Sequence, residues 1–130
     1  GALAESFGLR QGVKYRKPIK ELLETVLALD PAFLQGSADR ALGRWYFKVP
    51  GLFGGSTARS EEHLRRALTY GDNSVITRVF LAETMEALGK RDAAREELRA
   101  ALDAPLDPDW APEDRRFKQQ AEALLKKLSR

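Results

Sequence analysis

The chain has 130 residues, enough for one domain with a modest core. Apolar residues make up 43% and charged residues 32%, and the net charge is only +3 with both signs interspersed, which argues against nucleic acid as a partner. The absence of cysteine excludes disulfides, thiolate chemistry and cysteine-based metal sites.

In chain order, residues 2–9 read as a short helical fragment that ends near Gly8 and Gly12. Nothing there has the charged-then-apolar pattern of a signal peptide. No run in the chain approaches the ~18 apolar residues of a membrane-spanning helix. A helix is expected over residues 18–28, with Pro18 at its first position, where a missing N–H costs nothing. Leu22, Leu23, Val26 and Leu27 give it an apolar face, and Asp30-Pro31 stops it. The next helix, about 31–47, places Leu34, Ala38, Ala41, Leu42, Trp45 and Tyr46 at the 3.6-residue period. Residues 49–55 hold one proline and three glycines, which marks a loop, yet Val49, Leu52 and Phe53 are bulky and apolar.

A helix over 56–70 follows, capped by Ser56 or Thr57, because Ser60 lacks the Glu or Gln that a capping box needs three residues on. Gly71-Asp72-Asn73 reads as a turn. A helix over 74–88 ends at Gly89, a left-handed cap, and its partner covers 92–102. After a Pro- and Asp-rich turn at 105–112, the last helix runs to about Leu128 with a single apolar stripe of Phe117, Ala121, Leu124, Leu125 and Leu128.

One motif recurs. Gly55, Glu62, Leu64, Arg65, Ala67 and Leu68 return as Gly89, Glu96, Leu98, Arg99, Ala101 and Leu102, each displaced by 34, the tetratricopeptide period. Leu42-Gly43 and Tyr46 correspond to Leu81-Ala82 and Met85 at a displacement of 39, so five residues are inserted between Tyr46 and Gly55. The expected fold is all-α: tetratricopeptide-like antiparallel hairpins stacked as a short solenoid in one domain. Its parts are a partial leading unit at 1–31, a hairpin with the inserted loop at 32–72, a hairpin at 74–104 and a capping helix at 112–129. Such stacks present a surface to a partner, which favours an interaction module over a catalyst.

The residues that carry chemistry point the same way. His63 is the sole histidine, and its neighbour Glu62 points elsewhere on the helix, so a surface position or an interhelical hydrogen bond is the plainer role and no catalytic residue is assigned. Asp107, Asp109, Glu113 and Asp114 lack calcium-hand spacing and suit a helix N-terminus instead, so no metal or cofactor is expected. The glycines at 51–55 are not followed by Lys-Ser/Thr, which argues against phosphate binding. The candidate partner- or ligand-binding residues are Arg44, Trp45, Tyr46, Val49, Pro50, Leu52 and Phe53, shaped by Gly51, Gly54 and Gly55. For Phe53 the competing role is filling a gap in its own hairpin; for Trp45 and Tyr46, core packing; for Arg44, solvation.

The run from Leu42 through Gly43-Arg44-Trp45-Tyr46-Phe47-Lys48-Val49-Pro50-Gly51-Leu52-Phe53-Gly54-Gly55 to Ser56, followed by Glu62-His63-Leu64, resembles the T-component family of tripartite ATP-independent periplasmic (TRAP) transporters. Leu81-Ala82-Glu83-Thr84 and residues 105–114 are similar too. The resemblance implies a helical repeat protein of the periplasm, lipid-anchored in many members, that binds the solute-binding subunit, forms oligomers and encloses apolar channels. The chain begins without an anchor, so membrane attachment would need one outside it. The alternatives are a cytoplasmic tetratricopeptide scaffold for a peptide or protein, and a relative of the regulators of microtubule dynamics, which share the Gly43–Tyr46 and Glu113-Asp114 pattern but differ around 50–55.

Overall fold

A computed structural model describes residues 2–71 and 74–129, with side chains over 16–34, 36–71 and 74–129. The described residues form six α-helices and no strand: α1 (Ala2–Leu29), α2 (Phe33–Lys48), α3 (Thr57–Leu68), α4 (Val75–Ala87), α5 (Arg91–Asp103) and α6 (Ala111–Leu128), with a short 3-10 turn, Gly51–Phe53, between α2 and α3.

The start of the chain departs from the sequence expectation. The fragment at 2–9 and the helix at 18–28 are one helix, and Pro18 lies inside it rather than at its first turn. An internal proline forfeits one backbone hydrogen bond, about 3 kcal/mol. The half-buried Leu23, Val26 and Leu27, on the part of the helix that packs on α2, offset that loss. Asp72 and Asn73 of the expected turn lie outside the described residues.

Elsewhere the local signals hold. Ser56 Oγ accepts the Arg59 N–H at 3.1 Å, and Ser74 Oγ accepts the Thr77 N–H at 3.2 Å, so both serines cap their helices. Gly89 takes φ +80°, and the following Lys90 N–H returns to the Met85 carbonyl at 2.8 Å.

Helices α2 and α3 pack as one hairpin and α4 and α5 as a second, stacked through α3 against α4; α6 closes the stack against α5 and α4. The repeat pairs occupy matching core positions. Leu42 and Leu81, Tyr46 and Met85, Leu64 and Leu98, and Ala67 and Ala101 are all buried. Each large one contributes roughly 1.5–3 kcal/mol by leaving water. The two last helices also cap each other. Lys118 Nζ of α6 donates to the carbonyls of Leu102, at 2.8 Å, and Ala104 at the end of α5. Arg91 and Arg95 at the start of α5 donate to the Leu128 carbonyl at the end of α6, at 2.9 and 2.7 Å.

Candidate functional site

Helix α2 is the floor of a groove of about 790 Å³ whose walls come from α1 and α4. Ile19, Leu23 and Val26 line it from α1, Phe33, Ala38 and Ala41 from α2, and Ile76 and Phe80 from α4. Four cations join this apolar lining, Arg16, Arg40, Arg44 and Lys48, and the described lining residues include no carboxylate. Three of the four stand at positions 40, 44 and 48, four apart and so on one face of α2.

Arg44 is committed within the chain. Its Nη1 donates to Glu83 Oε2 of α4 at 2.7 Å, and its guanidinium lies 4.2 Å from the Phe80 ring centre and 5.2 Å from that of Phe47. Arg40 differs: it makes no hydrogen bond or ion pair with any described residue, and burial pulls its guanidinium below the ordinary arginine pKa. Trp45 lines the groove and donates its indole N–H to the Arg16 carbonyl of α1 at 3.0 Å, with Lys20 Nζ 5.5 Å from its ring centre. Tyr46 faces the other way. It is buried, with its ring stacked on His63 at 5.4 Å, and stands outside the groove lining.

The inserted loop meets the groove at Val49. Its path is set by backbone contacts. The Gly55 N–H returns to the Pro50 carbonyl at 3.1 Å, and the Ser56 N–H to the Tyr46 carbonyl at 2.9 Å. A β-carbon on Gly55 would fall 1.6 Å from the Val49 carbonyl oxygen, so only glycine fits there; Gly54 adopts φ +105°, which also favours glycine. This tight return pushes the tip outward. Leu52 is 88% exposed, and Phe53, 40% exposed, is covered only in part by the Arg16 guanidinium 5.0 Å from its ring centre.

His63 serves packing. Its Nδ1 lies 2.8 Å from Asp39 Oδ1, which accepts the hydrogen bond across α2 and α3; Asp39 is fully buried, and its other oxygen has no partner among the described residues. The acidic cluster near α6 is engaged with its own backbone: Asp114 Oδ2 accepts the Asp107 N–H at 3.1 Å, and Asp107 Oδ1 the Asp109 N–H at 2.9 Å. No group of three metal-ligating side chains occurs among the described residues.

The structure thus brings Arg44, Trp45 and Val49 into one groove lining, leaves Leu52 and Phe53 on the loop beside it, and turns Tyr46 into the core. Sequence reasoning missed Arg40, Arg16, Phe80 and Glu83. The signal for Arg40 was the four-residue spacing of Arg40, Arg44 and Lys48 along an apolar helix. The model of the TRAP transporter T-component family matches residues 10–130.

The chain belongs to that family. No match was found among curated proteins. A T-component is an accessory component of a TRAP transporter. None of its described helices is long and apolar enough to cross a membrane.

Proposed function

We propose that this chain is a non-catalytic interaction module that docks the periplasmic solute-binding subunit of its transporter through the 50–55 loop and holds an apolar ligand in the adjoining groove. The observation that carries the docking role is the exposure of Leu52, 88%, on a loop whose backbone is locked at both ends. Phe53 stands beside Leu52, 40% exposed, and adjoining exposed apolar side chains, rather than a single one, are what mark a contact surface. The ligand role draws on the groove's apolar walls and its volume of about 790 Å³, within the range of small-molecule sites.

Self-association has its own support. Leu22 and Leu29, seven residues apart and so on one face of α1, are 65% and 81% exposed, an apolar strip suited to a second copy. Leu52→Asp tests the docking role. Titration against the solute-binding subunit should show an affinity at least about tenfold weaker, the scale of a central apolar anchor. An unchanged affinity would remove the loop from the interface.

A further inference from the structure

We propose that the groove takes a long-chain organic anion, with a carboxylate on Arg40 and the apolar chain laid along α2 between α1 and α4. The inference rests on the reading of this groove as a ligand site and names the chemical class it takes.

Arg40 is the cation whose position the fold itself does not explain. Arg44 is neutralised by Glu83, Lys48 is exposed, and the Arg16 guanidinium covers Phe53. Arg40 is half-buried, lines the groove, and makes no ion pair or hydrogen bond with the described residues. Removing a guanidinium from water without an anion is unfavourable, and a ligand carboxylate on its two-pronged face reverses that.

The surroundings restrict the anion further. Arg40 also lines a second cleft of about 310 Å³, between the start of α4 and residues 105–110, where Asp107 and Asp114 stand. Those carboxylates are bonded to backbone N–H groups rather than to Arg40. They repel a negative group on that side, which directs the ligand's chain the other way, along the groove. In the other direction lie Ile19, Leu23, Val26 and Phe80, surfaces for methylene groups. Among the described residues, an apolar lining with cations and no carboxylate matches this ligand in both parts.

Calorimetric titration of the full chain with dodecanoate and dodecanol tests the proposal. Dodecanoate should bind about tenfold tighter than the alcohol, the scale of one charge-assisted hydrogen-bonded pair. Arg40→Gln should erase the preference for dodecanoate and leave the alcohol unchanged, while Arg40→Lys keeps part of it. The comparison between the two ligands on the unaltered chain needs no variant, so a poorly folding Arg40→Gln does not blunt the test. Equal binding of dodecanoate and dodecanol overturns the role of Arg40 and leaves the apolar ligand site standing. Binding of neither overturns both.

Discussion

Arg44 and Glu83 hold the same position in successive hairpins, 39 residues apart, and their side chains meet at 2.7 Å. The displacement is that of Leu42 and Leu81, the repeat plus its five inserted residues. One repeat position thus became a cross-link between α2 and α4 when its two copies took opposite charges. Both side chains are only about a quarter exposed, at 26% and 24%, so the pair is better shielded than a surface ion pair. Glu83→Ala should destabilise the fold by about 1.5–3 kcal/mol, the worth of a hydrogen bond to a charged group. Thermal melting reads this as a loss of roughly 3–5 °C per kcal/mol. Recovery of part of the loss in the swapped pair Arg44→Glu with Glu83→Arg would show that the charges couple; losses that simply add would show that they do not.

Gly43 makes the first hairpin tight. A β-carbon there would lie 2.6 Å from Leu64 Cγ and 3.2 Å from the Ser60 carbonyl oxygen. Alanine gains about 1 kcal/mol of helix propensity over glycine. Leu64 is fully buried and has nowhere to retreat, so overpacking, about 1–3 kcal/mol, outweighs that gain. Urea unfolding of Gly43→Ala should show a net loss, and one that shrinks when Leu64→Ala removes the obstructing atoms. A more stable Gly43→Ala would mean the two helices separate at little cost.

The loop glycines are not equivalent. Gly55→Ala collides with the Val49 carbonyl, 1.6 Å from the new β-carbon, whereas Gly51 has open space around it. Gly55→Ala should cost at least about 2 kcal/mol, and Gly51→Ala should be neutral or stabilising by up to about 1 kcal/mol. Equal melting temperatures for the two variants would show that the loop's path is not fixed by its backbone.

Much of the fold is legible in the sequence, because the repeat writes the same core twice. Leu64 and Leu98, Ala67 and Ala101 share both their sequence displacement and their complete burial. Ser56, Ser74 and Gly89 mark helix ends through hydrogen bonds and φ values that are local by nature. The leading helix is not legible, because Gly8, Gly12 and Pro18 are helix-stopping residues and a continuous helix runs through them all. At Pro18 local propensity loses to the apolar side chains of Leu23, Val26 and Leu27 on the part of α1 that packs on α2. The site is legible in part. The glycines around Leu52 announce a special loop, but its outward tip depends on the Ser56 N–H reaching back to the Tyr46 carbonyl. Arg40 resembles any solvated arginine until α1 and α4 are set beside it.

The central claim is that the 50–55 loop meets the solute-binding subunit. A photoreactive phenylalanine derivative placed at position 52 tests it in the native host, with a second copy of the probe at the exposed position 99 of α5 as the comparison. The expected result is a crosslink from position 52 to the TRAP solute-binding protein and none from position 99. A crosslink from position 99 with none from position 52 would contradict the account and move the docking surface to the opposite helices of the stack.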